Sequence, residues 1–268
     1  MVKEYLLSTK TRVLLILMLF IHFAFLSPVR AFSTQIGCKI TPFLFPFQMS
    51  SIYFQLLFML GVVYLFSFVP CMQYWNMYRL MRLGRIRWAL EQLRIILALA
   101  FFYTVMNLFM SILLMMDVTA YRLEWGKGLY TLSLTNAGGE FGNMLQFSYA
   151  FINDYTPLQA LAASMVISFL CVAFIGIFMF FVSLWVNRTM AILLAMLGVV
   201  LPAVVENMTN SYQKFIFFSP LSWINFPAVS KYLSVQRIIV VLSLLTLTTI
   251  LGILFKIKVC EFDWYNEE

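Results

Sequence analysis

Charge is scarce in this chain. Of its 268 residues only 11% are Asp, Glu, Lys or Arg, against about 25% in an ordinary soluble domain. Histidine occurs once, as His22, and the four cysteines, Cys38, Cys71, Cys171 and Cys260, are scattered with no CxxC pair and no His/Cys cluster. That excludes a zinc site of the usual spacing and a disulfide framework. There is no G-x-x-x-x-G-K-[ST], no H-E-x-x-H and no G-x-S-x-G, so neither a P-loop nor the familiar metalloprotease and hydrolase signatures are present. No internal repeat or low-complexity run appears.

Apolar residues fill the space that charge leaves. They make up 63% of the chain, and mean hydropathy is +0.91. A soluble core of this size cannot hide so much apolar surface. The chain therefore reads as an integral membrane protein. Six stretches meet the requirement of roughly 20 apolar residues for a helical span: Val13–Val29, Ile52–Met72, Ile95–Met116, Leu158–Val186, Thr189–Val205 and Ile238–Phe255, none of which contains Asp, Glu, Lys or Arg. The runs are continuous rather than alternating, which favours helices over a barrel. The expected fold is all-α, a single transmembrane domain over 1–268 with six spans. The first run has a rival reading as a signal peptide, since Val29-Arg30-Ala31 resembles a cleavage site, but Pro28 and Arg30 make a poor cleavage context.

Net charge is +7. In a membrane chain the basic residues serve as cytoplasmic anchors rather than as a nucleic-acid surface. With the N-terminus inside, eleven Lys and Arg fall on the inner side and seven on the outer, and Gln73–Arg94 alone carries five arginines in 22 residues. Both termini are then expected in the cytoplasm. Few cysteines and short loops fit a bacterial plasma membrane. The segments outside the spans are too short for a nucleotide-binding domain.

Chemistry inside the bilayer has little to work with. No span holds a carboxylate, and His22 stands alone midway along the first, so bonding to a neighbouring helix is its expected role. Asp117 and Glu206 sit at the outer ends of their helices, where the headgroup region accommodates them. No catalytic residue, metal ligand or cofactor is expected on this chain. Energy for any transport must come from elsewhere, because ion-coupled carriers place charge near the midplane.

The segment Gln73–Arg94 offers a specific pattern. Leu83, Ile86, Leu90 and Leu93 share one helical face, while Arg79, Arg82 and Arg85 recur every three residues on another. Gly84 permits a break between two short helices, and Tyr74, Trp75 and Trp88 suit a membrane interface. A positive-inside anchor explains the arginines alone. A docking element for a cytoplasmic partner explains the amphipathic face and the glycine joint as well.

The stretch Tyr78-Arg-Leu-Met-Arg-Leu-Gly-Arg-Ile-Arg-Trp88, between the second and third runs, resembles the coupling helix of the membrane subunit of a type-two ABC exporter (the ABC-2 permease family, type V fold). Phe218-Ser-Pro-Leu-Ser-Trp-Ile224, between the fifth and sixth, is similar to that family's short re-entrant outer helices. The resemblance covers the whole chain by topology but only these two stretches by residues. It implies six helices, a cytoplasmic coupling segment, re-entrant outer helices before the last span, and a second permease subunit of the same or a different chain. It also implies separate cytoplasmic ABC ATPase subunits that carry ATP and Mg. Arg79, Arg82, Arg85, Trp88 and Glu91 then fall to ATPase docking, and Ser219, Pro220 and Trp223 to the re-entrant segment.

Two features depart from the family pattern. Asp117–Pro157 is longer than the usual turn and holds five glycines, which suggests a turn-laden outer cap. The fourth run, at 29 residues, exceeds the bilayer and implies tilt or projection. The competing class is a non-transporting sensor, assembly factor or immunity protein that binds ligand through its outer loops. An intramembrane enzyme built on His22 ranks below both.

Overall fold

A computed structural model describes residues 4–5, 8–70, 84–119, 124–135, 137–207, 219–230 and 233–259. Every regular element among them is helical, and the one extended pairing among them is a parallel bridge between Ile40 and Thr119. Among the described residues five helices are long and apolar enough to cross a membrane. They are α1 (Thr9–Ile36), α4 (Arg85–Met115, extended by a 3-10 turn at Met116–Val118), α8 (Pro157–Trp185), α9 (Arg188–Asn207) and α11 (Val235–Val259). The chain is a multi-pass helical membrane protein.

The second apolar run differs from the expectation. Its helix, α3, covers only Ile52–Phe66, because Ser67 and Phe68 turn and Pro70 follows; the residue before a proline is pushed out of the helical region. Fifteen residues rise about 22 Å, short of the roughly 30 Å hydrocarbon core. A buried four-residue helix, α2 (Phe45–Gln48), stands just ahead of it.

Helix ends follow local chemistry. Ser8 caps α1, its Oγ accepting from the Thr11 N–H at 3.3 Å, and Gly37 closes that helix with φ 69°. Thr156 and Gln159 form a reciprocal capping box around Pro157 at the head of α8. The α8–α9 turn is tight because the Asn187 Oδ1 accepts from the Met190 N–H at 2.8 Å. Without an internal proline or glycine, α4 runs unbroken over 31 residues.

The bundle is built around α8, which packs on α3, α4, α9 and α11, while α1 closes on α3 and α4. Close approach is set by small residues, as expected where lipid supplies no hydrophobic drive between helices. A Cβ on Gly176 would stand 2.6 Å from Ile96 Cγ2 and 2.9 Å from the Phe66 ring. At one end of the bundle the Arg188 Nε donates to the Ser67 carbonyl at 2.7 Å, Tyr5 stacks on Phe68 at 4.8 Å, and the Lys256 ammonium lies 4.8 Å above the Trp185 ring. This is the arginine side.

The opposite end carries a folded cap. The described residues of the Asp117–Pro157 segment, expected to be turn-laden, form three short helices: α5 (Gly126–Leu134), α6 (Ala137–Glu140) and α7 (Tyr149–Asp154). Gly126 and Gly142 take φ of 71° and 66° at its bends, a region that favours glycine. The cap has its own aromatic core, in which Phe47 meets Trp125 at 5.2 Å and Phe151 at 5.8 Å, and Phe151 meets Phe226 at 5.3 Å. Across the helix ends, the Arg30 guanidinium donates to the Asp117 carboxylate at 2.6 Å. That pair is exposed, so it contributes little to stability.

The contact at Gly176 gives a test. Gly176→Ala should lower stability in detergent by about 1–3 kcal/mol, the usual cost of overpacking. Gly139→Ala, which meets nothing within 4 Å, should stay within about 0.5 kcal/mol. Thermal unfolding of the two purified variants measures both.

Candidate functional site

Three places collect the residues to which sequence reasoning gave roles. On the arginine side, α4 starts at Arg85 behind Gly84, whose φ of 78° marks the break. The helix beyond that glycine is the span itself rather than a second short helix. At 1.5 Å per residue, 31 residues reach about 46 Å, some ten residues more than the bilayer needs. The first ten, Arg85–Arg94, include every charged residue of this helix.

The packed face of this overhang cuts across the apolar stripe seen in the sequence. Trp88, Ala89, Gln92 and Leu93 turn into the bundle, with Trp88 only 3% exposed and edge-on to Phe180 at 5.9 Å. Of the apolar stripe that periodicity shows, Leu93 is buried, while Ile86 and Leu90 are 51% and 42% exposed. Arg85, Arg87 and Arg94 are exposed beside them and Glu91 is half-buried. Trp88 thus packs inside the bundle, while Arg85 lies open on its surface. Arg79 and Arg82 lie outside the described residues.

On the cap side, Ser219 and Pro220 lead into a 3-10 turn (Ser222–Ile224) and a short helix, α10 (Phe226–Val229), ahead of the last span. This segment is held from below by side chains of other helices. The Gln55 Nε2 donates to the Leu221 carbonyl at 2.8 Å, and the Cys171 thiol points at the Pro220 carbonyl at 3.6 Å. The Asn225 Nδ2 donates to the Ser50 carbonyl at 3.2 Å, while its Oδ1 accepts from the Ala228 N–H at 3.3 Å. Trp223 is buried and Ser219 half-buried. Short backbone stretches of this kind leave several carbonyls without helical partners, and the borrowed donors from α3 and α8 answer that need.

The third place is the bundle interior. His22 is fully buried, and its Nε2 lies 3.0 Å from the Asn107 Oδ1. An amide oxygen only accepts, so Nε2 carries the proton. The Asn107 Nδ2 donates to the Tyr103 carbonyl at 2.8 Å, and the Tyr103 hydroxyl donates to the Phe58 carbonyl at 2.9 Å. Together these bonds link α1, α4 and α3. His22 bonds a neighbouring helix, as its solitary place in an apolar run suggested. Its Nδ1 and both amide atoms of Gln48 are buried without a hydrogen-bond partner. Among the described residues no three His, Cys, Asp or Glu side chains gather as a metal site would require.

Sequence reasoning passed over Asn107, Gln55 and Asn225. The signal was there for the first two, each an amide inside an otherwise apolar run; a polar side chain in a span faces the bundle and seeks a partner. Asn225 gave no such signal, because its role depends on the carbonyl of Ser50, 175 residues away in sequence.

No protein-family model, curated protein or solved structure matches this chain.

The His22–Asn107 bond should be visible in a double-mutant cycle. His22→Ala and Asn107→Ala should couple by about 0.6–1.7 kcal/mol, the range for hydrogen bonds between membrane helices. Equilibrium unfolding in mixed micelles would read the coupling, and strictly additive losses would contradict a direct bond.

Proposed function

We propose that this chain is the permease subunit of an ATP-driven ABC exporter. In this reading it forms the path for a peptide or amphiphilic substrate and docks separate ATPase subunits, which hold ATP and Mg. The observation that carries the proposal is the overhang of α4. Ten residues beyond bilayer length, with Arg85, Ile86, Arg87, Leu90 and Arg94 open to the surroundings, form a mixed basic and apolar strip suited to a protein partner. A positive-inside anchor alone needs the arginines but not exposed Ile86 and Leu90.

Other parts of the molecule fit the same reading. The arginine side is cytoplasmic, as the distribution of Lys and Arg favours. The helix Ile52–Phe66, lengthened by Phe45–Gln48, completes a sixth crossing. The segment from Ser219 to Val229 is re-entrant at the outer face. Because α4 is one helix from Arg85 to Met115, a push on its cytoplasmic end is delivered to the cap without an intervening hinge. Trp88 supports the strip from behind through its packing on Phe180. A second copy of this chain, or a different permease, completes the path. The folded cap favours one other reading, a stand-alone sensor or immunity protein that binds ligand outside.

Purification of the tagged chain in mild detergent from its native host separates the two readings. A P-loop ATPase should co-purify in stoichiometric amount and be lost at least about tenfold with Arg85→Glu, while membrane insertion of the variant stays normal. Recovery of the chain alone, under conditions that preserve other complexes, would overturn the permease reading. Undiminished ATPase recovery with Arg85→Glu would overturn the docking role of that residue.

A further inference from the structure

Four aromatic residues recur along the second half of α8 at spacings of four, three and four: Phe174, Phe178, Phe181 and Trp185. That rhythm puts them on one face of the helix. Their rings follow one another, Phe174 to Phe178 at 6.0 Å and Phe181 to Trp185 at 5.7 Å between centroids. The stripe lies between two neighbours of α8. On one side Phe174 and Phe178 meet α9 across Leu194 and Gly198. On the other Phe181 meets α11 so closely that a Cβ on Gly252 would stand 2.7 Å from its ring. No ring of the four is fully buried, and Trp185 is 46% exposed.

Between α8 and α9 the stripe deepens into a groove of about 220 Å³, walled by Phe174, Phe178, Leu194, Gly198 and Leu201 and closed toward the cap by Pro220. Leu194 and Leu201 are 44% and 46% exposed, so the groove opens outward from the bundle. Both helices have the length and composition of a membrane span, and the medium outside them at this depth is hydrocarbon. From Trp185 back to Phe174 is eleven residues, and from Arg188 on to Leu201 thirteen, or about 16 Å and about 20 Å. The groove thus reaches from the arginine side to about the middle of a roughly 30 Å core, the depth of one acyl chain.

Charge marks one end of this track. The Lys256 ammonium sits 4.8 Å above the Trp185 ring, and Arg188, which begins α9, is exposed beyond its bond to Ser67. No acidic residue stands in α8, in the first turn of α9 or in the last turn of α11. We propose that the stripe and groove bind an anionic phospholipid. Its phosphate pairs with Lys256, near Arg188, and one acyl chain runs over Phe181 and Phe178 down to Pro220. A lysine over an indole keeps N–H donors on the side away from the ring. Charge complementarity selects the headgroup, since a zwitterionic one brings a second cation to Lys256 and Arg188. The inference needs no ATPase, so it stands or falls separately from the permease reading.

Native mass spectrometry of the full chain, delipidated in detergent and titrated with lipid, resolves bound lipids one at a time. The first dioleoyl phosphatidylglycerol should bind at least about tenfold more tightly than dioleoyl phosphatidylcholine, which has the same chains. Lys256→Gln should remove that preference and leave phosphatidylcholine binding unchanged. Leu194→Trp, which fills the groove from a half-exposed position, should weaken both lipids at least about threefold. Lys258→Gln, two residues further on and so on the other side of α11, should change neither. Equal affinity for the two lipids overturns the proposal, as does a preference that survives Lys256→Gln or binding indifferent to Leu194→Trp. Two other occupants would also overturn it. A roughly tenfold gain in phosphatidylglycerol affinity on deleting 260–268, which holds four acidic residues, would assign Lys256 to the chain's own tail. A lipid-free dimer that Leu194→Trp splits would assign the groove to a second copy.

Discussion

Pro157–Trp185 passes through the middle of the bundle without one charged side chain, and the other helices are arranged by what they can place against it. A helix so apolar is stable only where water is absent. There its backbone must be satisfied within the helix, and its neighbours gain nothing from hydrophobicity that lipid would not also give. Association has to come from close fit and from polar contacts. Gly176 supplies the fit, letting Ile96 and the Phe66 ring reach the helix backbone. The capping box at Thr156 fixes where the helix starts and thereby the level of the cap above it.

Polar contacts are spent sparingly and at points of irregularity. In the membrane interior a run of them leads from His22 through Asn107 and Tyr103 to the Phe58 carbonyl. At the cap they go to the backbone of the Ser219–Val229 segment, whose short turns cannot satisfy themselves. Gln55 and Asn225 each serve a carbonyl far away in sequence. The same logic separates Asp117 from these residues. Its carboxylate pairs with Arg30 in the open, where the pair orients two helix ends at little gain or cost.

Much of this was legible in the sequence. Runs of apolar residues locate the helices, because a span must be long and uncharged whatever it packs against. Gly84 could be read as a break and His22 as a helix-to-helix contact for reasons equally local. Other features could not be read this way. The run from Ile52 to Met72 is uncharged throughout, but its helix stops at Phe66, since Pro70 limits the backbone whatever the hydropathy. On Arg85–Arg94 periodicity marks Ile86, Leu90 and Leu93 as one apolar stripe but does not say which of them packs. Trp88 and Ala89 fill the space beside Phe180, which leaves Ile86 and Leu90 outside. The cap's short helices were hidden for a related reason. Elements of four to nine residues are too short to hold together alone, so their existence rests on Phe47, Trp125, Phe151 and Phe226 meeting across the chain.

The two ends of the molecule consequently differ in kind. The arginine side has the start of a helix longer than a bilayer requires and a tight turn at Asn187, and its exposed residues at Arg85–Arg94 sit on one unbroken helix. The cap side is a small domain with an aromatic core, tied to the helices by side-chain-to-backbone bonds. The helix that starts at Arg85 runs unbroken to Met115, and just beyond it the Val118 carbonyl accepts from the Ile40 N–H at 3.2 Å, which ties its far end to the Cys38–Thr41 segment of the cap. On the permease reading proposed above, a partner that moves the arginine end would reach the cap through this one element. Such coupling requires only that the cap differ in shape between two positions of that helix, so that a partner preferring one position shifts the population of both.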